Sequence, residues 1–223
     1  MRSIFSILLV LCSAISAQAA ELPSNQRPMY GGIEFNAAQT EANDKFIDFA
    51  VKNAGNREKA SNDTAMVGFD YLFKRRDPAT AMQRFNQAWL LDPDNGFAIH
   101  GMALVLAIRD NDSKGAETLF ARSIASKRTS PGSFMDYGRH LLMQRRPAEA
   151  VPVLEEGRRR YPLPKDGISE TEALLASAYV ESGQTTEGCA LAQARVNDAP
   201  PNLKNTLREI LRMSACATSG TKR

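Results

Sequence analysis

The side chains that most often carry enzyme or metal chemistry are sparse in this sequence. It has two histidines, His100 and His140, and neither belongs to an HxxxH or HxxE arrangement. An enzyme would be expected to show a nucleophile with a base, a carboxylate pair or a cluster of metal ligands. Gly31 and Gly32 lack the flanking strand, helix and lysine of a phosphate-binding loop. We therefore predict a protein that is not an enzyme and has no catalytic residues, no cofactor and no metal site.

The first 20 residues have the pattern of a secretory signal peptide. Arg2 gives a positive start, an apolar run follows as far as Cys12, and a small-residue cleavage site lies near Ala19. A membrane anchor needs about 20 apolar residues, whereas Ser13 already interrupts this run. We expect an exported, periplasmic mature chain without a transmembrane segment. Secretion or attachment to the outer membrane is the alternative.

Export determines which cysteines remain and whether they are expected to form a disulfide. Cys12 leaves with the signal peptide, so Cys189 and Cys216 are the thiols of the mature chain. Disulfides form in oxidising compartments outside the cytosol, and a lone pair of cysteines in an exported protein is a candidate for one. The sequence therefore predicts a possible disulfide between Cys189 and Cys216.

The charge of the chain argues against nucleic acid as a partner. The formal net charge is only +3, whereas nucleic-acid-binding domains carry strong basic patches. Basic residues nevertheless predominate over 122–165 and acidic residues over 166–194. A contiguous basic face would suit an acidic partner or an anionic envelope polymer. Alternatively, Arg158, Arg159 and Arg160 end a predicted helix, where positive charge is favourable.

A repeating pattern of small and large apolar residues organises the chain. The small-large-small triplets recur after 35 and then 34 residues, as Ala81, Phe85 and Ala88, then Ala116, Phe120 and Ser123, then Ala150, Leu154 and Gly157. Upstream, Gly68, Ala103 and Gly138 recur at a step of 35. A sequence repeat of 34 or 35 residues is much longer than one turn of an α-helix. Each unit must therefore be a supersecondary element that stacks on the next unit.

Each unit is predicted to contain two helices and a short turn. Asp77-Pro78 and Ser130-Pro131 are typical helix starts, with a capping residue followed by proline. Strand signals are absent from the sequence. The predicted helices span residues 57–75, 78–91, 95–109, 113–126, 131–144, 147–160, 169–182 and 185–197.

The pattern resembles the tetratricopeptide repeat family over residues 61–197. The resemblance rests on Gly68, Tyr71, Ala81, Phe85, Ala88 and Pro93 in the first unit, and on Gly138, Leu141, Ala150, Leu154 and Pro162 in the third. It implies an all-α fold, a right-handed helical-repeat solenoid of about four helix pairs. The first two turns between helices are one residue longer than the family's usual spacing.

The remaining segments flank the array. We expect a signal peptide over 1–20, a flexible arm over 21–37, an N-terminal helical extension over 38–60 that packs on the first repeat, a capping helix over 198–213 and a tail over 214–223. Phe46, Ile47 and Phe49 would cover the first repeat. In the cap, Leu203, Leu207 and Ile210 form one apolar face.

Stacked helix pairs form a concave groove that the first helix of each pair lines. The predicted lining is mostly apolar, with His100 and Arg139 as polar points: Ala65, Phe69, Leu72, Phe97, His100, Leu104, Met135, Arg139 and Leu142. Family members that bind a peptide's C-terminal carboxylate carry lysine and asparagine where this chain has Ala65 and Phe69, so that clamp is not expected. The alternative for each lining residue is a place in the core between helices.

These features predict a non-catalytic periplasmic scaffold or adaptor that binds a protein or peptide, in envelope assembly or secretion. A chaperone-like holder of exported polypeptides is the alternative, because methionine side chains adapt to several ligands. The arm, with Met29, Tyr30 and Phe35, is another candidate occupant of the groove. The sequence does not indicate an oligomeric state.

Overall fold

Regular structure in this chain is helical wherever the structure describes it. The computed structural model describes residues 21–162, 170–212 and 216, so the predicted signal peptide, the loop 163–169 and most of the tail lie outside the described residues. The α-helices are α1 (Ala37–Ala54), α2 (Arg57–Phe73), α3 (Pro78–Leu91), α4 (Gly96–Val105), α5 (Ser113–Ala125), α6 (Pro131–Met143), α7 (Pro147–Arg160), α8 (Glu170–Glu181), α9 (Thr185–Arg195) and α10 (Pro201–Arg212). The predicted all-α repeat architecture is confirmed.

Side-chain caps explain where several helices begin. Asn36 and Gln39 form a reciprocal capping box at the start of α1, with both hydrogen bonds at 2.9 Å. Asp77 accepts a hydrogen bond from the backbone N–H of Thr80 at 3.0 Å, directly before the proline that opens α3. Asn95 caps α4 through two backbone N–H groups. These caps satisfy N–H groups that have no partner within the helix.

Phe85 shows why the repeat alternates small and large residues. Its side chain is fully buried between α2 and α4. A Cβ atom at Gly68 would lie 2.6 Å from the Phe85 ring, and one at Gly101 would lie 2.2 Å from it. Only glycine leaves room for the ring at these two positions, so Phe85 is a wedge that joins the first unit to the second.

The third unit repeats this arrangement with a different large residue. Leu154 on α7 is fully buried, and a Cβ atom at Gly138 on α6 would lie 2.4 Å from it. Phe134 fills the space beside Gly157, where a Cβ atom would lie 2.5 Å away. Phe120 in the second unit is likewise fully buried, as the repeat register predicts.

The helix contacts define the inner face of the array. Each first helix contacts the next first helix, so that α2, α4, α6 and α8 form a continuous row. The second helices α3, α5 and α7 make no comparable contacts with one another among the described residues. Because the first helices are closer together, the array curves toward them, and they line its concave face.

The two ends of the array are covered differently. At the C-terminal end, α10 buries Leu207 and Ile210 in the core of the last two units. A disulfide joins Cys189 on α9 to Cys216 beyond α10, with the Cα atoms 5.5 Å apart. At the N-terminal end, α1 packs on α2 without burying any of its residues fully, and Phe49 points outward with 69% of its surface exposed. The prediction that Phe49 covers the first repeat is therefore wrong.

The N-terminal arm is fixed to the second helices, although the sequence suggested a flexible segment. The side chain of Asn86 on α3 is completely buried, and its amide donates hydrogen bonds to the carbonyls of Asn25 and Arg27 at 2.9 and 2.8 Å. It also accepts one from the backbone N–H of Tyr30 at 3.3 Å. Burial raises the pKa of the Tyr30 hydroxyl. The arm thus lies outside the groove and does not occupy it.

None of the helices in the described part of the chain combines the length and the apolar character needed to cross a bilayer.

Candidate functional site

The predicted groove residues divide into two groups by burial. Ala65, Leu72, His100 and Leu104 are buried, with at most 9% of their surface exposed. They pack between helices, because the next unit covers them. Ala65, Leu72 and His100 therefore have a place in the core, whereas Leu104 also lines a cavity at the end of the groove. The other five reach the surface of the concave face, each partly buried: Phe69, Phe97, Met135, Arg139 and Leu142.

Phe69 is held rigidly at the first groove position. Its ring stacks on Phe97 of the next first helix with the centroids 4.4 Å apart, and its edge meets Phe85 at 5.0 Å. Phe73, one turn further along α2, stacks on Phe69 at 6.2 Å. Aromatic rings in such contacts contribute about 0.5 to 1.5 kcal/mol beyond the burial of their area. The apolar surface of the first repeat therefore has a fixed shape.

A line of charged groups joins the first helices along the groove. Nε2 of the buried His100 lies 2.9 Å from Oδ2 of Asp136 on α6. Asp136 also pairs with Arg139, whose second nitrogen lies 2.6 Å from Glu170 on α8. The network links α4, α6 and α8. These contacts between side chains of successive first helices hold the helices in register.

His140 belongs to a second polar cluster near the end of α6. Its Nε2 lies 3.0 Å from the hydroxyl of Ser113 on α5 and 3.9 Å from Glu117. Burial lowers the pKa of His140, while the neighbouring Glu117 acts in the opposite direction and Arg146 adds to the lowering. Glu117 is in turn bound by Arg146 at 2.7 Å. The geometry favours a neutral imidazole that ties α5 to α6.

The surface that sequence reasoning missed lies where the first helices end. A cavity of about 290 Å³ crosses the first three units there. It is bordered by three large apolar side chains that are mostly exposed, namely Phe73, Ile108 and Met143, with Leu104 and Phe120 also lining it. Their spacing of 35 residues, the same as the repeat, is a signal that could have identified them in the sequence.

A larger cavity of about 580 Å³ lies between α7, α8 and α9. The almost fully buried Glu172 faces Arg195 at 3.0 Å and Arg158 at 3.6 Å. The contact of Glu172 with Arg158 joins the fourth unit to the third.

The described residues contain no group of three or more histidine, cysteine, aspartate or glutamate side chains that could hold a metal ion.

Comparison with known proteins addresses the fold. No protein-family model matches the sequence, and no curated protein matches it in a sequence search. Among solved structures, PilF of Pseudomonas aeruginosa is similar with a TM-score of 0.59 and 18% identity, over 75% of this chain and 79% of PilF. A double mutant of MamA from strain RS-1 gives a TM-score of 0.54 and 19% identity, over 75% of this chain and 90% of MamA.

A third similar structure carries the family name in its description. YrrB, described as a TPR protein with an unusual peptide-binding site, gives a TM-score of 0.50 and 14% identity, over 79% of this chain and 98% of YrrB. The chain has the tetratricopeptide-repeat fold. Within this fold, the four pairs are α2 with α3, α4 with α5, α6 with α7 and α8 with α9, and the row of first helices is the candidate binding surface.

Proposed function

We propose that this protein is a non-catalytic periplasmic scaffold or adaptor that holds a protein or peptide in the concave groove of its repeat array, in envelope assembly or secretion. One observation carries the proposal: the groove ends in a cavity bordered by the exposed apolar side chains of Phe73, Ile108 and Met143. An exposed apolar surface that crosses several repeats has an energetic cost in water that a protein partner would remove.

Two further features support the proposed location outside the cytosol and the proposed binding activity. The signal-like N-terminus and the Cys189–Cys216 disulfide are compatible with an oxidising compartment outside the cytosol. YrrB, which has the same fold, is described as having a peptide-binding site. The paired charges of the groove bind each other, which suits a structural and binding surface more than a catalytic one.

A chaperone-like holder of exported polypeptides is the second candidate. Met66 and Met143 on the first helices expose 62% and 75% of their surface. Unbranched, polarizable methionine side chains adapt to different apolar ligands and are common on promiscuous binding surfaces. A holder would bind many chains through them, whereas an adaptor would bind one.

The test is affinity purification of the tagged protein from the cell envelope. The groove variant Met135→Glu with Leu142→Glu places charge on the concave face, and Ala121→Glu on the exposed face of α5 is the control. We expect the groove variant to lose a co-purifying protein that the wild type and the control retain, at equal helical content. A single stoichiometric partner supports the adaptor and many partners support the holder. Retention of every partner by the groove variant contradicts the proposal.

A further inference from the structure

The exposed apolar side chains at the end of the groove occupy one register of the repeat. Phe73, Ile108 and Met143 are separated by 35 residues at each step. Phe73 and Met143 are the last residues of α2 and α6, and Ile108 lies in the turn that follows α4. They expose 56%, 58% and 75% of their surface. We call these three side chains the apolar row.

The fold itself does not require apolar residues in this register. Glu181 is the last residue of α8, the corresponding first helix of the fourth unit, and it is exposed. The buried wedges, such as Phe85, already join the units. Because the fourth unit ends its first helix with a charged residue, the stacking of the units does not require an apolar residue in this register.

A widened helical turn places the middle member of the row. Residues Leu106–Asp110 form a π-helical turn at the end of α4, a rare conformation that often occurs at functional sites. Arg109 within it binds Asp110 and donates a hydrogen bond to the backbone carbonyl of Gln26 in the arm at 2.9 Å. The docked arm therefore braces the turn that presents Ile108.

The cavity beside the apolar row can accommodate side chains of a partner. Leu104, Ala107 and Phe120 line the cavity of about 290 Å³ that the row borders. A concave apolar cavity of this kind receives a partner's side chains, as in helix-in-groove recognition. A bilayer surface offers no such protrusions, so the shape favours a protein over a membrane.

The charges around the row favour an acidic partner. Lys74, Arg75 and Arg76 follow Phe73, and Arg145 and Arg146 follow shortly after Met143. Asp70 lies beside Lys74 and Arg75, and Glu117 and Glu149 bind Arg146. Arg76 and Arg145 are exposed and have no ion-pair partner among the described residues. These two cations are available to a carboxylate on a partner.

We propose that the apolar row binds an acidic amphipathic α-helix of a partner protein that crosses the first three repeats. Packed helices lie about 8–10 Å apart, and residues seven apart on a helix are separated by about 10.5 Å along its axis. Apolar residues at every seventh position of the partner would therefore match Phe73, Ile108 and Met143. This inference rests on the proposed binding function and names the partner's chemistry.

The test uses the purified mature chain and a labelled synthetic helix, with binding measured by fluorescence anisotropy. The probe carries leucine at every seventh position and glutamate beside each leucine. We expect it to bind, and to bind at least about tenfold more weakly to the triple variant Phe73→Gln, Ile108→Gln, Met143→Gln. The control Phe49→Gln removes an equally exposed apolar side chain from α1 and leaves affinity unchanged.

A second variant tests the charges separately. Arg76→Gln with Arg145→Gln is expected to weaken binding and to reduce its dependence on salt.

Four outcomes would overturn the inference. The probe could fail to bind, or it could bind equally to the triple variant. A scrambled probe, or a probe with lysine in place of glutamate, could bind as well as the original. Binding to phosphatidylglycerol vesicles that depends on the row would assign it to a membrane. If the probe fails while the Met135→Glu, Leu142→Glu variant still loses its partner, the proposed function stands and this inference falls.

Discussion

Phe85 is the side chain that joins the first unit to the second. Its ring fills the space that Gly68 and Gly101 leave open, so truncation leaves a cavity that rigid backbone on both sides cannot close. We expect Phe85→Ala to lower the free energy of unfolding by about 3 to 5 kcal/mol. The measurement is denaturant unfolding, with Phe49→Ala at the exposed face of α1 as the control. A loss below about 1 kcal/mol would contradict the wedge.

His140 gives the stability a pH dependence of defined sign. Because burial lowers its pKa below the ordinary value of 6.5, the unfolded chain binds a proton at a higher pH than the folded chain. Stability contributed by the neutral imidazole is therefore complete above the unfolded pKa and is lost as pH falls toward the folded pKa. We expect acidification from about pH 7 to pH 5 to destabilise the wild type more than His140→Gln. Parallel pH curves for the two proteins would contradict this.

The arm is the clearest element whose structure depends on one distant residue. Asn86→Ala removes the two hydrogen bonds donated to the arm carbonyls and the one accepted from Tyr30. We expect a loss of about 1 to 3 kcal/mol, since buried arm groups lose their partners, and release of the arm. Chymotrypsin should then cleave after Tyr30 much faster than in the wild type, while the array stays folded. The exposed control Asn53→Ala on α1 should leave cleavage unchanged, and equal rates for Asn86→Ala would contradict the docking.

The C-terminal cap depends on the disulfide between Cys189 and Cys216. The bond closes a segment with a sequence separation of 27, which corresponds to about 3 to 4 kcal/mol in the chain-entropy model. We expect Cys189→Ser with Cys216→Ser to lower stability by that amount and to speed hydrogen exchange in α10 more than in α4. Mass spectrometry of unreduced exported protein should detect no free thiol. Two free thiols, or a dimer that reduction separates, would contradict the internal bond.

Elements with local signals could be predicted from the sequence, and elements fixed by distant contacts could not. The period of 35 residues and the proline-marked starts located the helix pairs, and Pro78 and Pro131 open α3 and α6 as predicted. The arm has no period, and its place depends on Asn86, about 60 residues away. The π-helical turn after α4 likewise has no simple sequence signature.

The candidate site was predicted less well than the fold for a related reason. Burial of Ala65 and His100 depends on how closely the next unit approaches, which helical spacing alone does not give. The groove face was identified, but the most exposed apolar residues, Phe73 and Met143, are the terminal residues of their helices. Sequence reasoning that emphasised helix centres therefore missed them.

At the scale of the whole molecule, one curved row of first helices presents a rigid surface, and the arm and the second helices support it from outside. The inner face has exposed methionine and aromatic side chains, and the charged groups along its centre, Asp136, Arg139 and Glu170, are paired with each other. We therefore predict that partners contact the concave face and the edge of that face where the first helices end.

Site-specific photocrosslinking in the intact envelope tests that claim most directly. A photoreactive amino acid replaces Met135 or Met143 on the first helices, and Ala121 or Glu181 in control variants, all at positions that are partly or fully exposed. We predict that Met135 and Met143 give the same protein adduct and that Ala121 on the outer face gives none. Glu181, in the fourth unit beyond the apolar row, should crosslink weakly. Adducts at Ala121 with none at Met135 or Met143 would contradict the assignment of the binding surface to the groove.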